Sequence, residues 1–208
     1  MNLKPRGMWP HAWVMTKAFR RILRGLAWSK IFPSEVINRE AVPTSGGCIV
    51  AANHKSTVDF PYIWGAMRRV VVAMAMAEIW RWPGIGQLAW AMGMVPVKRG
   101  NRKSGSKAPK RAIRWTMHGG AFLIFPGGGL NRPFKPGVYI LAKETGAPVI
   151  PCHVMGTDLV KPPGKWMVHR HPVRVAFGEP LYAYDFQEPN AQEEFLAELL
   201  RRIEELAA

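Results

Sequence analysis

Acidic residues are scarce in this chain. Only 14 of 208 residues are Asp or Glu, against 29 Lys and Arg, for a formal net charge of +15 at pH 7. No carboxylate precedes Glu35, none falls between Glu78 and Glu144, and seven of the 14 lie from Asp185 to Glu205. An excess of this size attracts phosphate, whether on lipid headgroups, cofactors or nucleic acid. Cysteine is nearly absent. Cys48 and Cys152 both sit in apolar, strand-like runs, which reads as two buried small side chains and neither a disulfide nor metal ligands. No apolar run reaches the roughly 18 residues that a membrane span needs. The longest candidate, Val70 to Val97, is broken by Glu78 and Arg81. The apolar core and small-residue cleavage site of a secretory signal are missing at the N-terminus. Also missing are the aromatic RNA-binding signature, zinc-finger spacing and a basic zipper, so nucleic acid is not an expected partner despite the charge.

What is present fits one globular domain. The chain is long enough for a single sizeable core, and 48% hydrophobic residues argue against wholesale disorder. Strands are predicted over 47–52, 70–75, 94–98, 121–125, 148–154 and 172–177. Helices are predicted over 12–28, 57–68, 83–92, 107–118, 136–145 and 191–206. Apolar strands alternating with helices indicate an α/β fold: a single layered domain with a largely parallel sheet flanked by helices. Phe195, Leu199 and Ile203 form the inward stripe of the last helix. The polar stretch 100–107 is a flexible link between elements.

The N-terminal segment is amphipathic. From His11 to Trp28, Met15, Ala18, Phe19, Ile22 and Leu26 share one helical face, and Lys17, Arg20, Arg21 and Arg24 the opposite one. Trp9, Trp13 and Trp28 flank it. A basic amphipathic helix bounded by tryptophan suits a membrane interface. The alternative is an ordinary surface helix packed on the core. Residues 1–30 are therefore read as a membrane-docking segment and 31–208 as the main domain.

The most informative string is NHKSTVDFP, Asn53 to Pro61. It sets His54 and Asp59 five residues apart. An imidazole steadied by a carboxylate can take a proton from a hydroxyl and so activate a weak oxygen nucleophile. In one continuous helix, residues five apart point about 140° away from each other, so the pair can meet only across a turn. The sequence supplies one. GCIVAA, Gly47 to Ala52, reads as a buried strand. Ser56 and Thr57 are N-cap candidates, and Pro61 is acceptable in a helix's first turn. His54 thus falls on a short loop after a strand and Asp59 in the opening turn of a helix. Open α/β sheets keep their sites at that strand end.

Three further segments complete a pattern: GMVPVKRG at 93–100, FPGGGLNRPFKPG at 125–137 and VIPCHVMGT at 149–157. With NHKSTVDFP, their order and separation resemble the four blocks of the glycerolipid acyltransferases, which include the lysophosphatidic acid acyltransferases. The first block matches at Asn53, His54 and Asp59, the second at Arg99 and Gly100, and the fourth at Val149, Ile150 and Pro151. The third departs. Phe125, Pro126 and Gly128 match, but Gly127 stands where the family has glutamate, and Gly129 and Leu130 where it has threonine and arginine.

The resemblance implies an O-acyltransferase. The donor would be an acyl thioester, on coenzyme A or acyl carrier protein. The acceptor would be a hydroxyl of a lysophospholipid or related phosphorylated glycerolipid, at the cytoplasmic face of a membrane. His54 would act as base and Asp59 would orient it. Asn53, Lys98, Arg99, Phe125, Pro126, Gly127, Gly128 and Arg132 would form the substrate site, the basic members holding phosphate. No resident cofactor or metal is implied, because a thioester is already activated. The altered third block leaves open a weakly active lipid-binding relative. His169 and His171, either side of Arg170, read as surface histidines. The methionines and tryptophans could line an acyl pocket or serve ordinary packing.

Overall fold

Cys48–Ala52, an unbroken apolar pentapeptide, is the central strand of the fold, and all five residues are buried. The computed structural model describes residues 34–81, 94–97, 107–130, 132–165 and 167–208, with Ala18, Gly84, Gly86 and Gln87. The predicted helices 12–28 and 83–92 lie almost wholly outside these residues, as does the proposed docking segment.

Among the described residues seven strands form one sheet: β1 Ser34–Ile37, β2 Cys48–Ala52, β3 Val71–Met76, β4 Val95–Val97, β5 Ala121–Ile124, β6 Val149–Met155 and β7 Val173–Phe177. Their spatial order is β1-β7-β6-β2-β5-β3-β4. From β4 to β6 every neighbouring pair is parallel; β7 runs antiparallel to β6, and β1 lies parallel to β7. The sheet is thus largely parallel, as the strand–helix alternation predicts. The six predicted strands are all present, with ends shifted by a residue or so. β1 is an addition. SEVI is four residues long with one exposed and three half-buried, so it carries no apolar signature.

Among the described residues five helices flank the sheet: α1 Asp59–Ala66, α2 Lys107–Met117, α3 Gly137–Thr145, α4 Thr157–Val160 and α5 Ala191–Glu205. Strand alternation divides the core in two. Ile49 and Ala51 face a cluster with Ala112 and Trp115 of α2, Val138 and Leu141 of α3, and Phe195, Leu199 and Ile203 of α5. Cys48, Val50 and Ala52 face the other, with Tyr62, Ile63 and Trp64 of α1 and Val160 of α4. Both faces are covered, which is why the strands read as continuous apolar runs. Two buried indoles also anchor helices to strands. Trp64 Nε1 donates to the Val71 carbonyl at 2.6 Å, and Trp115 Nε1 to the Ala121 carbonyl at 2.8 Å. Cys48 and Cys152 are free and buried. Burial pushes the Cys48 thiol up to about 11, against the pull of Arg69. Burial also raises the Cys152 thiol, helped by the charge of Asp59.

Candidate active site

The site lies at the carboxyl edge of β2, where β5 and β6 flank it. Register sets this up: Ala52 pairs with Cys152 and Ala51 with Ile124, so the residues after β2 emerge between the ends of both neighbours. Asn53 closes the seam. Its Oδ1 accepts from the Val154 N–H at 2.7 Å, and its Nδ2 donates to the Val154 carbonyl at 2.8 Å. This side chain extends the sheet ladder by one rung. Asn53, expected in the substrate site, clamps the 53–59 loop onto β6.

His54 and Asp59 meet as the turn predicts. His54 Nδ1 lies 2.8 Å from Asp59 Oδ2. The histidine side chain is 21% exposed and that of Asp59 fully buried. An ionised carboxylate in such a place needs donors. The loop provides them: Oδ2 also accepts from the Lys55 N–H at 2.7 Å and the Ser56 N–H at 2.9 Å. Oδ1 accepts from the Thr157 hydroxyl of α4. A carboxylate accepts only, so His54 Nδ1 carries the proton and Nε2 keeps its lone pair. That tautomer is the one a general base requires.

One expectation is corrected. Neither Ser56 nor Thr57 caps α1; the N-cap position is Val58, without a side-chain hydrogen bond. The Ser56 hydroxyl instead donates to the Lys161 carbonyl at 2.7 Å, tying the loop to the segment after α4. His54 is packed as well as hydrogen-bonded. Its ring stacks on Phe125, with centroids 4.1 Å apart and planes at 17°. Phe125 is therefore a wall of the site.

The segment after β5 forms a tight turn. The Gly128 N–H donates to the Phe125 carbonyl at 2.8 Å, with Pro126 in the second position and glycine in the fourth, a type I pattern. Residues 132–135 fold back over it, and the Lys135 N–H donates to the Pro126 carbonyl at 3.1 Å. A Cβ on Gly127 would overlap the Arg132 carbonyl oxygen. Gly127 is thus required by close backbone approach, and no side chain fits there while this segment stays in place. Pro126 and Gly127 are buried, Gly128 and Arg132 exposed. Lys98 and Arg99 lie outside the described residues.

Sequence reasoning misses two residues. Thr157 reaches Asp59 across 98 residues of chain, a contact no local pattern displays. Its signal was its place in the fourth block. Lys135 was legible in the third. Its ammonium would stand 3.7 Å from a Cβ on Gly128, over the glycine turn. His153, on β6 behind the site, has its pKa lowered by burial first and then by Lys55 and Arg174, against Asp59. It is held neutral. Among the described residues no cluster of three or more His, Cys, Asp or Glu could hold a metal.

This constellation, a histidine hydrogen-bonded to a buried carboxylate at the end of a central parallel strand, has the geometry that proton abstraction from a hydroxyl requires. A family model described as Acyltransferase matches residues 33–155, and the chain belongs to that family. It is 30% identical over 158 residues to a chloroplastic 1-acyl-sn-glycerol-3-phosphate acyltransferase of Brassica napus, covering 73% of this chain and 46% of the relative. It is 28% identical to the 1-acyl-sn-glycerol-3-phosphate acyltransferase of Bacillus subtilis, covering 83% of this chain and 87% of the relative. Among solved structures it is similar to the 1-acyl-sn-glycerophosphate acyltransferase PlsC from Thermotoga maritima. The TM-score there is 0.75 at 27% identity, over 93% of this chain and 80% of that one. The chain spans about half the length of the chloroplastic relatives it matches, those of Brassica napus and Arabidopsis thaliana.

Proposed function

We propose that the chain transfers an acyl group from a thioester, acyl-CoA or acyl carrier protein, to a hydroxyl of a lysophospholipid or related phosphorylated glycerolipid. The 2.8 Å pairing of His54 with a buried Asp59 held by three further donors carries this reading. His54 Nε2 takes the hydroxyl proton as the oxygen attacks the thioester carbonyl. Asp59 steadies the imidazolium. The tetrahedral intermediate collapses by breaking the C–S bond. The sulfur leaves as a thiol with the proton from His54, and the ester remains. Phe125 holds the imidazole plane. Lys98, Arg99, Arg132 and Lys135 supply positive charge for acceptor phosphate, and Pro126, Gly127 and Gly128 shape its floor. The relatives' names, all of enzymes acting on 1-acylglycerol phosphates, support this acceptor class.

The reaction is placed at the cytoplasmic face of a membrane, peripherally, with residues 1–30 as the docking segment and 31–208 as the acyltransferase domain. The basic amphipathic pattern of that segment supports this. No helix among the described residues is long and apolar enough to cross a membrane.

The test is thiol release by the purified full chain. Donors are acyl-CoA and acyl carrier protein thioesters; acceptors are lysophosphatidic acid, glycerol 3-phosphate and lysophosphatidylcholine, on vesicles. Release that depends on a phosphorylated glycerol acceptor is expected. Lipid binding without acceptor-dependent release would identify a weakly active binding relative and overturn the enzymatic reading.

A further inference from the structure

Eight large hydrophobic side chains are exposed among the described residues. Met117, Ile140, Tyr184 and Leu200 are scattered, each on a different element. The other four, Met155, Leu159, Met167 and Val168, fall within one short stretch around α4, with exposures of 37%, 53%, 69% and 52%. Scattered apolar residues are ordinary, whereas a concentrated set marks an interaction surface.

The stretch is pre-shaped. The His169 N–H donates to the Val160 carbonyl at 2.7 Å, so residues 161–168 leave and return at one point. Within it the Lys165 N–H donates to the Pro162 carbonyl at 3.1 Å. Pro163 and Gly164, with φ of +77° at the glycine, are the middle residues a type II turn demands. An excursion closed in this way loses little conformational entropy on binding.

Its charge selects the partner. Lys161, Lys165 and Arg170 accompany the apolar tips, and Asp158 is the one acidic residue from Met155 to Gly178. Exposed apolar side chains rimmed by cations match a bilayer with anionic headgroups, with tips in the acyl boundary and cations at the phosphates. Nucleic acid would engage the cations and leave Leu159, Met167 and Val168 unpartnered.

We infer that Leu159, residues 161–165, Met167 and Val168 form a second membrane-docking surface, built to seat on an anionic lipid bilayer. The surface is joined to the chemistry. Lys161 holds Ser56 through its carbonyl, and Thr157, two residues before Leu159, holds Asp59. Docking there brings the His54 edge to the lipid surface where an acceptor hydroxyl would lie. The inference rests on the proposed membrane-surface reaction.

The experiment uses the full chain. Both native cysteines are buried, so a cysteine introduced as Val168→Cys takes a polarity-sensitive fluorophore selectively. Leu200→Cys on α5 is the control. Vesicles are phosphatidylglycerol with phosphatidylcholine, or phosphatidylcholine alone. On anionic vesicles the label at 168 should shift to the blue and become shielded from an aqueous quencher, and the label at 200 should do neither. Met167→Asp with Val168→Asp should reduce vesicle partitioning on the order of 10-fold. A label at 168 that stays aqueous while the chain co-sediments with vesicles overturns the inference. So does an equal response on neutral vesicles, which removes the anionic assignment. Thiol release with a short-chain, water-soluble thioester and acceptor is measured in parallel. Turnover with an aqueous label sinks this inference alone; a buried label without turnover sinks the acyltransfer reading alone.

Discussion

Asp59 and Glu198 are both carboxylates ringed by donors, and they serve different ends. Asp59 is fully buried and takes two backbone N–H groups, a threonine hydroxyl and an imidazole. Glu198, on the outer side of α5, takes the guanidinium groups of Arg201 and Arg202 at 2.7 Å, three and four residues away on the same helix. The first set is drawn from two parts of the chain, the 54–56 loop and Thr157 far along the sequence, and fixes one imidazole in one tautomer. The second is local, partly solvated and replaceable by water. Donor number alone therefore says little about function. Burial and the sequence separation of the partners decide it, because a long-range buried network cannot relax without moving the fold.

The strongest test of this contrast removes the group that the buried carboxylate orients. His54→Ala should cut acyl transfer by roughly 100-fold to 10,000-fold. The fold should persist, since the imidazole is stacked on Phe125 but not enclosed, which circular dichroism and thermal melting would check. Thiol release near the wild-type rate from a folded variant would break the comparison at its base, leaving Asp59 as merely structural.

Next is the turn that carries Phe125. Gly127→Ala places a methyl against the Arg132 carbonyl, and the strain should lower stability by about 1–3 kcal/mol. Turnover should fall with it, because Phe125 packs on His54. Gly127→Glu with Leu130→Arg, which restores the family pattern, requires residues 132–135 to move first. Calorimetry and acceptor KM together check this. An unchanged Tm for Gly127→Ala would show that the segment already yields.

Thr157 tests the network more gently. Thr157→Val keeps the shape but leaves Asp59 Oδ1 without its donor, at a cost of about 1–3 kcal/mol shared between stability and orientation. We expect a kcat loss of about 10-fold with little change in KM, largely restored by Thr157→Ser. The acid limb of the kcat profile should shift, since the carboxylate that steadies the imidazolium is altered. A purely structural threonine would lower Tm and leave that limb in place.

The contrast also explains what could be read from the sequence. The central strands were legible because burial on both faces writes them as apolar runs, Cys48–Ala52 above all. His54 and Asp59 were legible because both lie within one nonapeptide whose turn forces them together. β1 was not, because an edge strand with half-buried residues has no apolar pattern. Nor was α4, a single turn of four residues. Thr157 and the Asn53 clamp escaped for another reason. Their partners lie 98 and 101 residues away, and only the sheet register reveals them. Gly127 was legible as a departure from the family pattern, but its cause, the Arg132 backbone, lies in the folded path of the loop.

The smallest effect belongs to the surface carboxylate. Hydrogen bonds from Arg201 and then Arg202 lower the Glu198 pKa from 4.5 to about 2. A depressed folded pKa means the ionised form is preferred in the native state, so the contribution is fully present above the unfolded value. It is lost as pH falls from about 4.5 through about 2. The side chain is 24% exposed and its partners are more so, and solvent screening holds the contribution to about 1 kcal/mol or less. Glu198→Gln should therefore lower Tm by a few degrees at neutral pH and leave acyl transfer unchanged. Well below pH 2 the variant and wild type should melt alike, since both then carry a neutral group. Added salt should narrow the gap at pH 7, as it screens an exposed pair. If Glu198→Gln instead reduces turnover, the two carboxylates are coupled through α5 and the sheet, and the separation of a catalytic edge from a solvated helix fails.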